Sequence, residues 1–118
     1  MVKLTHERIS GIIMPMVNIQ SNVQFHIYQR SEESYDILWF DQYGNMISNV
    51  CVSKFNGDTR FEYHASMGGL DDQFDIRLHE ILIINADYTD EFGYSFVSEN
   101  GIIKALVTFT SYLIKELN

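Results

Sequence analysis

Cysteine is almost absent from this 118-residue chain: Cys51 is the only one, so no disulfide can form within it. Its neighbours, NVCVS, are typical of a strand interior, where a lone cysteine is usually a small apolar side chain. A catalytic thiolate needs an electropositive, partly exposed setting, and the local sequence supplies none. We therefore interpret Cys51 as structural and expect a reducing, cytoplasmic environment.

Basic residues are also scarce. Eight Lys and Arg stand against 16 Asp and Glu, which gives a formal net charge of −8 at pH 7. A negative field of this size repels nucleic-acid phosphates and anionic membrane surfaces, and it accelerates the encounter with basic partners. Because the sequence contains no basic stripe, we expect no direct nucleic-acid partner. The alternative is that the acidity serves solubility alone.

Long apolar runs are missing as well. No stretch approaches the roughly 20 apolar residues of a membrane-spanning helix, and we see no secretory apolar segment, so no membrane partner is expected. Hydrophobic residues still make up 46% of the chain and charged residues 20%, as in soluble globular domains. The length favours one globular domain over residues 1–118.

Helical periodicity marks both ends of the chain. Thr5 is a plausible N-cap with Glu7 in the first turn, and isoleucines at helical spacing follow up to Met16. Pro15 predicts that this first helix ends or kinks at Met14. Near the C-terminus, after a cap at Ser98 or Asn100, one apolar stripe predicts an amphipathic helix. Its members are Ile102, Leu106, Phe109, Leu113 and Leu117.

Between these helices the period changes to two, which predicts strands. Four segments alternate in this way: NVQFHIYQR, YDILWFD, MISNVCVSKF and TRFEYHAS. QYGN, residues 42–45, and NGD, residues 56–58, are turn signals, and Asn-Gly is the strongest hairpin signal in the chain. The four strands therefore form an antiparallel meander.

The stretch GGLDDQFDIRLHEILIIN, residues 68–85, fits two interpretations. As a helix, it places Phe74 and Leu78 on one face with Ile81 and Leu82. As a strand, it alternates apolar and charged residues up to His79, and its four isoleucines favour this interpretation over residues 72–84. NADYTDEFG then predicts a polar loop, and YSFVS a further strand. The expected fold is α+β: an N-terminal helix, an antiparallel meander of five or six strands, and the C-terminal helix on one sheet face.

Motifs for catalysis or metal binding are not recognisable. The glycines near residue 70 precede the acidic residues instead of lying among them, so a calcium loop is not predicted. The four histidines are scattered and Cys51 is alone, which argues against zinc. There is no nucleophile elbow, phosphate loop or dinucleotide fingerprint. We assign no catalytic residue, no metal ligand and no cofactor. A small hydrolase or metal-dependent enzyme around His64 and His79 remains an alternative.

Acidic residues form three clusters at predicted turns, with tyrosines nearby. Carboxylates beside aromatic side chains are typical of a surface that docks into a basic cleft, although solvated loops are often acidic too. The clusters are Glu32, Glu33 and Asp36; Asp71, Asp72 and Asp75; and Asp87, Asp90 and Glu91. The predicted partner-binding residues are the six acidic residues of the second and third clusters, with Tyr88 and Tyr94 as anchors.

This pattern favours a non-enzymatic inhibitor of the immunity or anti-defence type. It would occlude the basic active or nucleic-acid-binding surface of a partner such as a toxin nuclease or a defence enzyme, as a monomer or homodimer. A secretion-chaperone-like or assembly protein is an alternative. Trp39, Phe40 and Phe55 would then be partly exposed to a client.

Overall fold

The computed structural model describes residues 5–18, 21–56, 61–91 and 93–118, which form three helices and one sheet of six strands. In chain order the elements are α1 (His6–Val17), β1 (Val23–Ser31), β2 (Ser34–Asp41), β3 (Met46–Asn56), β4 (Phe61–Met67), α2 (Gln73–Asn85), β5 (Tyr88–Asp90), β6 (Gly93–Phe96) and α3 (Glu99–Leu117).

The sheet is antiparallel, with strand order β1-β2-β3-β4-β6-β5. The four-stranded meander and the α+β class predicted from the alternation are therefore confirmed. β6 pairs with β4, and β5 lies outside β6, so β1 and β5 are the two edges of the sheet. The register aligns Tyr35, Val52, Ala65 and Tyr94 across four strands, so their side chains share one face.

That face carries the core, to which all three helices contribute. Trp39 lies near its centre, fully buried, with its ring edge-on to Phe25 and Phe109 and its Nε1 donating to Thr110 Oγ1 at 3.0 Å. Phe109 and Thr110 belong to α3, so the predicted packing of the C-terminal helix on the sheet is confirmed.

α1 begins as predicted, with Thr5 Oγ1 accepting a hydrogen bond from the Arg8 amide at 3.2 Å. The sequence predicted an end or a kink at Met14, and the end is wrong, because the helix continues through Pro15 to Val17. Proline removes the hydrogen bond to the carbonyl four residues earlier, here that of Gly11. Both residues lie on the exposed side of the helix, where water can hydrate that carbonyl.

Residues 73–85 form α2, so the preference for a strand over 72–84 is wrong and the helical alternative is right. The carboxylate of Asp72 caps the helix and accepts from the amides of Phe74 and Asp75, both at 3.0 Å. Leu78 and Leu82 are buried in the core. The cap and this packing outweigh the weak β preference of the isoleucines, three of which, Ile76, Ile83 and Ile84, are exposed.

Part of NADYTDEFG, the segment predicted as a polar loop, is a strand instead. Tyr88–Asp90 forms the short edge strand β5, while the further strand predicted from YSFVS is confirmed as β6. The sheet therefore has six strands, as the sequence allowed. The fifth strand along the chain, however, is β5 and not the predicted strand over residues 72–84.

The predicted turn at residues 42–45 is confirmed. Gly44 has a φ of 85°, and the Asp41 carboxylate accepts from the amides of Tyr43 and Asn45 at 2.9 Å. These hydrogen bonds, led by that from the Asn45 backbone, lower the pKa of Asp41. At the other hairpin, Asn56 pairs with Phe61, while Gly57 and Asp58 of the predicted NGD turn lie outside the described residues.

Candidate partner-binding surface

Two of the three acidic clusters meet at one end of the sheet, which we call the acidic end. Here β4 ends at Met67, the loop 68–72 leads into α2, and the turn between β5 and β6 brings Asp90 and Glu91 close by. Gly69 lies between two depressions and lines both of them. One is formed with the β5–β6 turn and the other with the start of β3.

The first depression, which we call the tyrosine pocket, has a volume of about 320 Å³. Leu70 and Ile83 form apolar walls, and Asp90 and Glu91 lie on the side of the β5–β6 turn. Tyr94 lines the pocket from β6, and its hydroxyl contacts His79 Nδ1 on α2.

The Tyr94 ring is part of the pocket wall instead of a protruding anchor, because only 8% of the residue is exposed. Burial raises the pKa of its hydroxyl, which therefore stays protonated near neutral pH. The hydroxyl donates to Met67 Sδ at 3.6 Å. With the proton of His79 on Nδ1, the imidazole donates to the tyrosine oxygen in turn, and the pair fixes α2 to the sheet beside the pocket.

The second depression, the carboxylate groove, has a volume of about 350 Å³ and is lined by Asp71, Asp72 and Asp75. The Asp75 carboxylate accepts from Ser48 Oγ at 2.6 Å and from the Asp71 amide at 3.2 Å. Asp71 and Asp72 are exposed. The groove carboxylates therefore hold the loop and the first turn of α2 in place while facing solvent.

Asp72 has a structural role that can be separated from its charge. Replacing it by alanine removes the N-cap of α2, and we expect a loss of about 1 kcal/mol in the free energy of unfolding. Asp72→Asn keeps an accepting oxygen and should cost only a few tenths of that. Urea denaturation of both variants measures the difference, and equal losses in the two would mean that the cap is not what stabilises the helix.

The other predicted residues of the third cluster lie elsewhere. Tyr88 pairs with Ser95, two residues along β5 from Asp90, and Asp87 precedes it. The Asp87 carboxylate accepts from the Val97 amide at 2.8 Å, and the Tyr88 hydroxyl donates to Glu62. The structure thus brings together Asp71, Asp72, Asp75, Asp90, Glu91 and Tyr94, but leaves Asp87 and Tyr88 at the opposite end of β5.

The first cluster is at the far end of the sheet. Glu32 and Glu33 form the turn between β1 and β2, and Asp36 pairs with Arg30 at 2.9 Å. It contributes to the overall charge but not to the acidic end.

Sequence reasoning missed the exposed apolar side chains at the acidic end. Leu70 is 53% exposed and Ile83 46% exposed. Leu70 could have been noticed, since it is a lone apolar residue between glycines and aspartates. Ile83 could not, because its position follows only from the helical assignment of α2.

The histidines proposed for an enzyme do not meet. His64 Nδ1 lies 3.3 Å from Ser95 Oγ, whereas His79 contacts Tyr94. Tyr94 and Ser95 are consecutive in β6, so their side chains, and with them the two histidines, lie on opposite faces of the sheet. Within the described ranges, no three His, Cys, Asp or Glu side chains come together as metal ligands.

The remaining candidates from the sequence are placed as follows. Cys51 is half-buried, and burial together with the charge of Asp36 raises the pKa of its thiol. Trp39 is fully buried, so its expected exposure to a client is wrong; Phe40 is half-buried, and the Phe55 side chain lies outside the described part of the structure. No helix among the described residues is long and apolar enough to cross a membrane.

Comparison with protein-family models, with curated proteins and with solved structures finds no match to this chain.

Proposed function

We propose that this protein binds a basic protein partner through its acidic end and inhibits it by covering its active or nucleic-acid-binding surface. The observation that supports this most strongly is the union of two acidic clusters, distant in sequence, around one loop. Asp71 and Asp72 come from the loop before α2, and Asp90 and Glu91 from the end of β5 and the turn that follows it. A toxin nuclease or a nucleic-acid-directed defence enzyme is the class of partner that presents such a basic surface.

The charges at the acidic end are of one sign. In the part of the chain that the structure describes, five carboxylates and no lysine or arginine line the two depressions. Arg77 of α2 is directed elsewhere, with its guanidinium 5.1 Å from the centre of the Tyr112 ring. A local field of one sign on a chain of charge −8 steers a basic surface to this end and sets its orientation.

Exposed apolar side chains at the acidic end would lengthen the lifetime of a complex, which charge alone does not do. Steering raises the association rate, but the lifetime of a complex depends on desolvated side chains near its centre. Leu70 and Ile83 are exposed beside the carboxylates. The tyrosine pocket, at about 320 Å³, is large enough for one arginine or lysine side chain, whose methylenes would contact these walls while its charge pairs with Asp90 and Glu91.

A titration with an arginine-rich peptide, followed by amide NMR, tests this location. We expect the largest shift changes at Gly69, Leu70 and Gly93. A fourfold variant, Asp71→Asn, Asp72→Asn, Asp90→Asn and Glu91→Gln, should weaken binding about tenfold, since charged contacts are the main source of affinity for such a peptide. Asparagine and glutamine keep the accepting oxygens, so the fold should be retained.

A matched control separates local from overall charge. Glu7, Glu32, Glu33 and Glu116 are exposed, and replacing all four by glutamine gives the same net charge of −4 as the first variant. We expect this control to bind nearly as tightly as the unmodified protein. Equal weakening in both variants, or shift changes centred on residues 31–34, would contradict a specific docking surface at the acidic end.

A further inference from the structure

We propose that β1 is a dimerisation edge, along which a second copy of this chain pairs antiparallel over residues 23–29 and joins two six-stranded sheets into one. The evidence begins with the difference between the two edges of the sheet. β5 is only three residues long, ends in Asp90 and is flanked by Asp87 and Glu91. Shortness and charge are the usual means by which an edge strand avoids pairing with another chain.

β1 has neither protection. It is nine residues long, and its first seven residues, VQFHIYQ, contain no proline and no Asp, Glu, Lys or Arg. Arg30, near its end, is already paired with Asp36. No other strand of the described chain pairs with the outer side of β1. Its outward backbone groups form a template for one more strand.

The surfaces on both sides of this edge are suited to contact. On the sheet face opposite the core, His26 stacks on Tyr28 with ring centres 6.2 Å apart and meets Phe40 edge-on at 5.2 Å. Tyr28 is 57% exposed. On the helix side, Met14 and Val17 of α1 line a depression of about 420 Å³ next to β1. A stable interface buries about 1,600 Å² in total, and these surfaces add to the area that strand pairing covers.

Charge and symmetry favour a second copy of this chain as the pairing partner of β1. Two chains of charge −8 repel each other, so they can associate only where the local charge is low. The pairing residues of β1, 23–29, are such a place, because they include no Asp, Glu, Lys or Arg and the turn with Glu32 and Glu33 lies beyond them. Five strand spacings, about 24 Å, separate them from the β5 edge with its carboxylates. An antiparallel strand is also complementary to itself about a two-fold axis. With the axis at His26, Gln24 of each copy lies opposite the Tyr28 of the other.

Light scattering after size-exclusion chromatography tests the dimer. The unmodified protein should have twice the 13.7 kDa mass of one chain. Gln24 and Tyr28 are both exposed, so Gln24→Lys with Tyr28→Lys leaves the fold intact but places four ammonium groups along the two-fold pairing. We expect this double variant to run as a monomer with an unchanged circular dichroism spectrum.

The control carries the same charge change at a distance from β1. Ile84→Lys with Ser111→Lys replaces one exposed apolar and one exposed polar residue on α2 and α3, and it should remain dimeric. Amide hydrogen exchange gives a second measurement: all backbone amides of residues 24–29 should be protected in the dimer, whereas alternate ones should exchange fast in the lysine variant. A monomeric unmodified protein, or a lysine variant that remains dimeric, would overturn the proposal. Neither result bears on the acidic end, which lies toward the opposite edge of the sheet.

Discussion

Replacing Trp39 by alanine is expected to lower the free energy of unfolding by about 3–5 kcal/mol, the range for large aromatic residues removed from cores. Trp39 connects the sheet to the C-terminal helix: its ring lies 5.9 Å from that of Phe25 on β1 and 4.9 Å from that of Phe109 on α3. Truncation leaves a cavity between two elements whose backbones are fixed by their own hydrogen bonds, so the surroundings cannot close it.

A large part of the stability of a single domain, about 5–15 kcal/mol, would be lost in this variant. Two milder changes keep the prediction measurable if the alanine variant does not fold. Trp39→Phe and Thr110→Val each break the hydrogen bond from Trp39 Nε1 to Thr110 Oγ1, and we expect each to cost about 1–3 kcal/mol. Tyr43→Ala, at a residue 80% exposed, is the control and should cost almost nothing. Urea denaturation showing similar losses at Trp39 and Tyr43 would contradict this view of the core.

Removing the positive charge of Arg8 should cost about 2 kcal/mol, which is between the values for surface and buried ion pairs. Arg8 on α1 pairs with Glu99 in the first turn of α3, and only 18% of the Glu99 side chain is exposed. Its second carboxylate oxygen is buried with no hydrogen-bond partner among the described residues. In Arg8→Met the carboxylate therefore remains largely buried and loses its counter-charge.

A double-mutant cycle distinguishes the ion pair from other effects of the substitution. Glu99→Gln removes the charge that Arg8 neutralises, so Arg8→Met should cost much less in that background than in the unmodified protein. Equal costs in the two backgrounds would show that Arg8 stabilises the protein through the packing of its methylenes instead.

The alternation of apolar and polar residues was the most informative sequence pattern for the fold. It predicted β1 to β4 because buried side chains alternate there with more exposed ones, as Tyr35, Ile37 and Trp39 show in β2. It failed at α2, where charged residues between apolar ones suggested a strand, because the capping by Asp72 was not recognised. β5 was also missed: Tyr88–Asp90 is exposed throughout, so it has no alternation to detect and is a strand only because β6 lies beside it.

The candidate surface was predictable in its residues but not in its arrangement. The composition alone identifies the acidic clusters. That Asp71 and Asp90 lie at the same end of the sheet while Asp87 does not depends on the register of β4, β5 and β6. The β4–β6 pairing joins Ala65 to Tyr94, about 30 residues apart, and no local pattern specifies it. The tyrosine pocket depends in the same way on α2 packing beside β6.

The most direct measurement of the central claim is quantitative capture of proteins from lysate of the source cells, with the unmodified protein, the fourfold acidic-end variant and the matched glutamine control as baits. We expect one basic protein to be retained in near-stoichiometric amount by the unmodified protein and by the control. It should be lost from the acidic-end variant and weakened by added salt, as steering by exposed charges requires. Capture of the same protein by all three baits, or of no basic protein by the unmodified chain, would contradict the account.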